Sequence, residues 1–403
     1  MNIACVTTYD ATDRLSFGGR TYYMTKSLER EVNAFEYVGP LKQFKPYSAW
    51  FRGLEYYYNS LRKKDYTRHR DPFLLRYFSR LISRQLNQSD IDIIFSPTNR
   101  FSQPIAYLET DIPIVTWTDA TFASFLDYHP EFTREIMSAK MIKDGLANER
   151  NMFMRTRLNI LKTDWAKKNA VEYYGIDPGK LLVVPGGPSL EYDILQEDVE
   201  RWIANRSTKK CRLVFMGGNW EFKGGPIAYE VVKRLNKNGL QTELLVIGCQ
   251  PKIDSRDDHI VTVLGTIEKF SKNGFERFSK IMRDSHFFIM PTKAEAMGIS
   301  YIEANAFGLP AIGTNTGGVS TVIRDDVNGM LFDSDADIDD YCEFIADNFL
   351  DNSKYQKLAK SSYNEYKTRL NWNVSAKKVV NAMQQLLNGD TIIEHDNLKL
   401  ENN

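Results

Sequence analysis

Cysteine and histidine are scarce in this sequence. The 403 residues include only four cysteines and five histidines. The histidines form no His-x-x-x-His pair and no group with cysteine, so we expect no metal site built from protein ligands. The cysteines are widely separated and lie mostly in apolar runs, which predicts buried free thiols in a reducing compartment and argues against a disulfide framework. They are Cys5, Cys211, Cys249 and Cys342.

The chain also lacks net charge and long apolar runs, and we expect no signal peptide. Its 52 basic residues balance 52 acidic ones, which gives no sign of a nucleic-acid partner. No apolar run approaches the roughly 20 residues that a membrane helix needs. The N-terminus begins directly as a strand. These features predict a cytoplasmic protein, with any membrane contact peripheral and at the inner face.

Two glycine-rich nucleotide motifs are missing as well. The chain contains neither Gly-x-Gly-x-x-Gly at a strand–helix turn nor Gly-x-x-x-x-Gly-Lys-Ser/Thr. Their absence argues against a dinucleotide-binding fold and against a P-loop NTPase.

The chain does have a repeated alternation of short apolar strands and amphipathic helices. This alternation of strands and helices predicts an α/β protein with parallel sheets covered by helices on both faces. The length exceeds one ordinary core, so we expect two domains. The predicted strands are Ile3–Thr7, Ile91–Phe95, Ile112–Thr116, Leu158–Leu161 and Leu181–Val184, then Arg212–Met216, Thr242–Ile247, Ile260–Leu264, His286–Met290 and Ala311–Thr314.

A Pro/Gly-rich joint separates the two halves and suits a hinge over a cleft, where ligands prefer to bind. The predicted parts are an N-terminal domain over 1–185, a linker over 186–210, a C-terminal domain over 211–373, a helix over 374–388 that could return to the first domain, and a polar tail over 389–403.

The most informative stretch carries two glutamates eight residues apart, Glu295 and Glu303. Pro291 ends a predicted strand, a loop carries Glu295 and Gly298, and a helix carries Glu303. The carboxyl end of a parallel strand next to a helix N-terminus is where α/β sheets bind ligands. Amides there attract phosphate, and a glutamate can accept hydrogen bonds from sugar hydroxyls.

A second strand–loop–helix turn carries Gly217, Gly218, Asn219 and Lys223. The glycines allow close backbone approach to a ligand, and the lysine supplies a compact positive charge suited to phosphate. The other interpretation is a tight turn with a solvated lysine. Because both turns end strands of the same predicted sheet, we expect them to face the same site.

Three weaker candidates follow other strands. Gly18 and Gly19 lie in a turn before a helix and could touch a diphosphate or simply form the turn. Asp119 could orient an acceptor hydroxyl or cap the next helix. The loop at Ile267 could frame a flat base through main-chain contacts.

Basic and aromatic residues alternate in the segment 52–84. One interpretation is a surface for anionic lipid or a lipid-linked acceptor, which would give a peripheral membrane contact. The other, which we favour, is a pair of amphipathic helices with solvated basic faces.

Together these motifs resemble the E-x7-E signature of retaining glycosyltransferases with the GT-B fold, in particular family four. The resemblance covers about residues 160–375 in the expected order. Its matches there are Pro291 to Pro310, Gly217 to Gly225, Thr316 to Val319 with Asn328 to Phe332, and Tyr174 to Ile176 with Val183 to Gly186. The opening Ser16 to Met24 also resembles the glycine-rich turn of the family's acceptor domain.

The resemblance implies two Rossmann-like domains facing each other across a cleft, with a UDP- or GDP-linked sugar donor held by the second domain. Glu303 would hold the ribose hydroxyls in a two-point hydrogen bond, Glu295 would contact the donor sugar near its anomeric carbon, and Lys223 would neutralise the leaving diphosphate. The remaining donor contacts would come from Gly18, Gly19, Gly218, Asn219, Ile267 and the amides of Met297, Gly298 and Ile299. The family needs no metal and no further cofactor.

Two positions depart from the family pattern. Many members carry an arginine five residues before the lysine, where this chain has Gly218, so Lys223 would act alone or with Arg20. Many also carry a histidine where Thr118 and Asp119 stand, which makes Asp119 the substitute candidate for catalysis.

The sequence therefore predicts a metal-independent, retaining hexosyltransferase, with a glycan or lipid-linked acceptor and a role in surface glycan or polysaccharide synthesis. The alternatives are a sugar-nucleotide epimerase and a catalytically inactive nucleotide-sugar-binding protein of the same fold.

Overall fold

The computed structural model describes residues 1–41, 45–86, 90–97 and 104–390, which form two compact units. Unit 1 comprises Met1–Pro185 together with the chain from Ser375, and unit 2 comprises Gly186–Val374.

Unit 1 is built on a six-stranded, fully parallel sheet in the order β2-β1-β3-β4-β5-β6. Its central strands are buried along their whole length because helices cover both faces of the sheet, so they appear in the sequence as unbroken apolar runs. The strands are β1 Asn2–Val6, β2 Ala34–Val38, β3 Ile93–Ser96, β4 Ile114–Thr118, β5 Leu158–Leu161 and β6 Leu181–Val183.

The α-helices described in unit 1 are α1 Arg20–Glu29, α2 Lys45–Glu55, α3 Pro72–Leu86, α4 Phe122–Phe125, α5 Ala139–Arg155 and α6 Asp164–Tyr174. A π-helical turn, Tyr56–Leu61, continues α2. Several helices begin at a hydroxyl cap of the kind the sequence signals, such as Thr163 before α6.

Unit 2 contains a second six-stranded parallel sheet, in the order β12-β11-β10-β7-β8-β9. The chain runs outward from β7 to β9 and then returns to β10 on the other side of β7. The strand order therefore reverses between β7 and β10, which is where open α/β sheets bind ligands. The strands are β7 Cys211–Met216, β8 Thr242–Ile247, β9 Val261–Gly265, β10 Phe287–Met290, β11 Ala311–Thr314 and β12 Gly329–Phe332.

The α-helices described in unit 2 are α7 Gln196–Asn205, α8 Gly225–Lys237, α9 Lys272–Arg283, α10 Ile299–Ala306, α11 Val319–Val322, α12 Ile338–Leu350 and α13 Asn352–Thr368. The last described helix, α14 Trp372–Asn388, begins in unit 2 and continues in unit 1. Its Ser375 Oγ donates to the Pro185 carbonyl at 2.6 Å.

Two features differ from the sequence prediction. The predicted linker 186–210 lies within unit 2, and its α7 buries Val199 and Ile203 in the unit 2 core. The amphipathic spacing of those two residues was hidden among charged neighbours. The prediction also missed β2 and β12. Both are edge strands. In β2 the exposed Glu36 interrupts the apolar residues, and β12 offers only three apolar side chains, Met330, Leu331 and Phe332, all half-buried.

Candidate functional site at the carboxyl edge of the second sheet

Two loops meet at the strand reversal of unit 2. One follows β7 and carries Lys223; the other follows β10 and carries Glu295. They are joined at the backbone, since the Lys293 amide donates to the Phe222 carbonyl at 3.0 Å. The side chain of Asn219 accepts from the Phe222 amide at 2.9 Å and closes the first loop. The two loops therefore form one connected surface.

Lys223 and Glu295 are paired on this surface. Lys223 Nζ donates to Glu295 Oε2 at 2.7 Å, and the Ala296 amide donates to Glu295 Oε1 at 3.0 Å. The two side chains are 23% and 21% exposed, so both are ordered by partners yet reachable by a ligand. Their pairing places a cation and a carboxylate side by side at the strand reversal.

The glycines before α8 have different local surroundings. Gly224 has a φ of +81°, and a Cβ there would lie 1.9 Å from the Pro291 carbonyl oxygen, so this position requires glycine. Gly218 is exposed, and a Cβ added to it would meet nothing within 4 Å. The position at which the family pattern has an arginine is thus open space.

Gly298 precedes α10 and sets the direction of its first turn. Its φ is +84°, and a Cβ would lie 2.3 Å from the ring of Tyr301. Within the described part of the chain, no side chain caps α10, so the first-turn amides of this helix point toward a site at its N-terminus. Met297 is buried and Ile299 half-buried, which leaves their main chain as the part of them suited to ligand contact.

Glu303 lies on α10 and is almost fully buried, with 1% of its side chain exposed. Its Oε1 accepts from Lys269 Nζ at 2.5 Å. Lys269 follows β9 in the loop that also carries the predicted Ile267, and its amide donates to the Ile267 carbonyl at 3.1 Å. The sequence analysis missed Lys269, because a lone lysine four residues after a strand carries no motif.

The C-terminal end of α10 is fixed by a buried arginine from α7's C-cap. Arg206 donates to the carbonyls of Phe307 and Gly308, both at 2.7 Å, and to the Tyr355 hydroxyl at 2.7 Å. These bonds satisfy carbonyls that the helix end leaves unpaired. Both ends of α10, and therefore the position of Glu303, are set by specific contacts.

In unit 1, Asp119 follows β4 and is bonded to two cations. Its Oδ2 accepts from Arg20 Nη1 at 2.9 Å, and its Oδ1 is bonded to Lys162 Nζ. Thr121 caps α4, so capping is not the role of Asp119. Gly19, with a φ of +79°, precedes α1, and Gly18 lies in the 3₁₀ turn before it. Asp119 and the Gly18–Gly19 turn are thus linked through Arg20.

Lys162 follows β5 and was also missed by the sequence analysis. It is 2% exposed, and burial lowers its pKa, while the adjacent Asp119 carboxylate acts in the opposite direction. A buried cation at a strand end has no sequence signature when its partner is more than 40 residues away.

The basic 52–84 segment does not form a single surface. Arg70 is buried with its guanidinium 3.7 Å from the Phe122 ring centroid, and Arg68 is paired with Glu55. Exposed basic residues are Arg52, Arg62, Lys63, Arg76, Arg80 and Arg84. Exposed apolar side chains lie close in sequence to the first three of these residues: Trp50 is 66% exposed and Leu61 is 63% exposed.

The predicted buried thiols are confirmed for Cys5, Cys211 and Cys342, whereas Cys249 is half-buried. Among the helices of residues 1–41, 45–86, 90–97 and 104–390, none is long and apolar enough to cross a membrane. Within those same ranges, no three His, Cys, Asp or Glu side chains gather where they could hold a metal ion.

Residues 196–365 match the family model of glycosyl transferases group 1. The chain is 25% identical over 174 residues to the D-inositol 3-phosphate glycosyltransferase of Rhodococcus opacus (strain B4), covering 40% of this chain and 39% of that protein. It is 23% identical over 192 residues to the Escherichia coli UDP-Gal:alpha-D-GlcNAc-diphosphoundecaprenol alpha-1,3-galactosyltransferase, covering 46% and 49%. The chain thus spans less than half the length of these relatives.

Solved structures resemble the chain along nearly its whole length. Sucrose-phosphate synthase from Thermosynechococcus elongatus superposes with a TM-score of 0.64 at 14% identity, covering 96% of this chain and 99% of that one. The lipopolysaccharide outer core galactosyltransferase WaaB gives a TM-score of 0.62 at 13% identity, covering 96% and 100%. The predicted fold class is confirmed: the chain has the GT-B fold of two Rossmann-like domains, and its second unit carries the match to the group 1 glycosyl transferases.

Proposed function

We propose that the protein is a retaining glycosyltransferase that moves a hexose-type sugar from a nucleotide diphosphate sugar to an acceptor hydroxyl. The observation that carries the proposal is the Lys223–Glu295 pair at the strand reversal of unit 2, with the uncapped N-terminus of α10 beside it. A cation and free amides suit a diphosphate, and a reachable carboxylate suits sugar hydroxyls.

Lys223 and the amides of Met297, Gly298 and Ile299 would stabilise the diphosphate as it leaves. Charge accumulates on that group in the transition state, and fixed positive groups there lower the barrier. Lys223 is held by Glu295 at 2.7 Å and is partly exposed, so its flexible stem can turn toward a phosphate. Because Gly218 leaves open space and no positive charge, Lys223 would carry this role in unit 2 without an arginine at that position.

Glu295 would contact donor-sugar hydroxyls near the anomeric carbon, and Glu303 would accept from the ribose hydroxyls. The amide of Ala296 and the ammonium of Lys223 orient the first carboxylate. The second is fixed by the anchored helix α10. Gly218, Asn219 and Ile267 would contact the donor through their main chain.

We propose UDP- or GDP-linked sugars as donors, with no metal and no further cofactor. The E. coli relative is named for UDP-Gal, and a similar solved structure, Anabaena Alr3699/HepE, is in complex with UDP and glucose at a TM-score of 0.59. Because Lys223 and the amides supply the positive field, turnover in a chelator should equal turnover in magnesium.

We propose a glycan or lipid-linked acceptor, and a role in polysaccharide or surface glycan synthesis. The E. coli relative is named for a diphosphoundecaprenol-linked sugar. In unit 1 we assign Asp119 to the acceptor side. Two cations hold its carboxylate, which favours orienting a hydroxyl over taking its proton.

A peripheral contact with the cytoplasmic face of a membrane forms part of this proposal. Trp50 and Leu61 are exposed near Arg52, Arg62 and Lys63, a combination of apolar and basic side chains that suits an anionic bilayer surface. In a vesicle sedimentation assay, the full chain should bind vesicles containing anionic phospholipid and not neutral ones. Replacing Arg52, Arg62 and Lys63 by Gln should abolish the binding; unchanged binding would rule out this surface.

A thermal-shift screen with UDP-, GDP-, ADP- and TDP-sugars tests donor binding. A ligand at a hundred times its dissociation constant adds about 2.7 kcal/mol to the unfolding free energy, so the true donor should stand out. NMR of the product should then show the anomeric configuration of the donor. Conversion of the nucleotide sugar without any acceptor would indicate an epimerase. Tight binding without turnover would indicate an inactive binding protein.

A further inference from the structure

The buried carboxylate of Glu303 has acceptor capacity beyond its lysine partner. Its Oε1 accepts from Lys269 Nζ at 2.5 Å, and 1% of its side chain is exposed. A carboxylate offers about four acceptor positions, and the Lys269 bond occupies one of them. The other positions, on a fixed helix, suit the hydroxyl donors of a ligand.

Lys269 is the solvent-facing member of this pair. It is 20% exposed beside a glutamate that is 1% exposed, and its Nζ lies 5.3 Å from the centroid of the Phe278 ring. Its backbone belongs to the loop after β9, at the same edge of the sheet as Lys223 and Glu295. A ligand approaching Glu303 would therefore meet Lys269 first.

Electrostatics require a partner for Glu303. Removing one member of a buried ion pair leaves an uncompensated charge, which favours a different rotamer with another partner. A turned carboxylate loses the geometry needed to accept from two neighbouring hydroxyl donors.

We propose that Lys269 is a positioning residue that makes Glu303 selective for the vicinal hydroxyls of a ribose. This deepens the proposed function and rests on it. Lys269 keeps one carboxylate oxygen in place, so that the remaining acceptor positions face the 2′- and 3′-hydroxyls. A nucleotide that lacks the 2′-hydroxyl leaves part of that capacity unsatisfied, and a site built to bond a hydroxyl rejects the analogue without it.

The test is isothermal titration of the full chain with UDP and 2′-deoxy-UDP, and with GDP and 2′-deoxy-GDP. The wild type should prefer the ribose form of its nucleotide by about 10-fold or more, as expected for a hydrogen bond to a charged group. Lys269→Met should reduce that preference to roughly 3-fold or less, and Lys269→Arg should restore it because it returns the cation. Lys272→Met, an exposed lysine at the start of α9, is the matched control and should behave as the wild type.

The outcomes separate the two proposals. A wild-type preference that persists undiminished in Lys269→Met overturns the role of Lys269 and leaves the glycosyltransferase proposal standing. Absence of binding of all four nucleotides to the wild type overturns both. If Lys269→Met unfolds by circular dichroism, Lys269→Gln takes its place, and a ribose preference kept by that uncharged variant also overturns the inference.

Discussion

Gly298 sets the geometry between the loop that carries Glu295 and the helix that carries Glu303. Its φ of +84° is left-handed, and a Cβ added there would lie 2.3 Å from Tyr301, so the position has no room for a side chain. Tyr301 cannot yield freely, because its hydroxyl donates to the Met290 carbonyl at 2.6 Å in the buried interior.

Gly298→Ala should therefore lower the free energy of unfolding by about 1–2 kcal/mol from the left-handed backbone alone, with the Tyr301 contact adding to it. Gly218→Ala is the matched control, since its Cβ would meet open space, and should stay within about 0.5 kcal/mol of the wild type. Urea unfolding of the three proteins measures both values. Equal losses for the two variants would contradict this account of Gly298.

Individual side chains differ in how far the sequence predicts them. Lys223, Glu295 and Gly298 each follow a strand within a recognisable loop, and the structure brings Lys223 and Glu295 into contact. Lys269 and Lys162 could not be predicted, because their importance comes from partners more than 30 residues away in loops whose course the sequence does not encode locally. The roles of all these residues in binding and catalysis remain predictions.

A buried histidine just before β10 joins β7 to the segment that follows α7. His286 accepts from the Arg212 amide through Nδ1 at 2.9 Å, and its Nε2 bonds to the Ser207 carbonyl at 2.7 Å. These partners fit a neutral ring protonated on Nε2. Burial, with the Arg206 guanidinium nearby, lowers the pKa of His286 to about 3.

This lowered pKa predicts a pH dependence of stability. The unfolded chain takes up a proton at His286 near pH 6.5 and the folded chain only near pH 3, so stability falls as pH drops through that window. Inside the window, one such group lowers the free energy of unfolding by roughly 1.4 kcal/mol for each unit by which the pH falls.

His286→Gln removes the titration while keeping a donor and an acceptor. It should be less stable than the wild type at pH 7.5, and the difference should shrink as pH falls toward 5. Urea midpoints at several pH values measure it. Parallel pH profiles for the two proteins would show that His286 does not titrate on unfolding.

Most central strands could be predicted because both of their faces are buried, which gives unbroken apolar runs. The edge strand β2 escaped prediction because the exposed Glu36 interrupts its apolar pattern, and the edge strand β12 because its apolar run is only three residues long. The helix α7 escaped because its anchors Val199, Trp202 and Ile203 lie among charged residues. The family match begins at residue 196, the first residue of this helix.

Over the full chain, the two units have equivalent architecture but different charge arrangements at their sheet edges. Unit 2 presents a reachable Lys223–Glu295 pair next to free helix amides. Unit 1 presents an aspartate held by two cations, one of them buried. The first arrangement suits a diphosphate and a sugar, and the second suits orienting an acceptor hydroxyl.

The most direct test of the central claim is the release of nucleoside diphosphate from the nucleotide sugar selected by thermal shift, with a sugar acceptor present. The wild type should turn over, and Glu295→Gln and Lys223→Met should each lose about 100-fold or more in kcat while keeping the wild-type melting profile. Lys293→Met, an exposed lysine in the same loop, should retain full activity. Wild-type turnover in both Glu295→Gln and Lys223→Met would contradict the account.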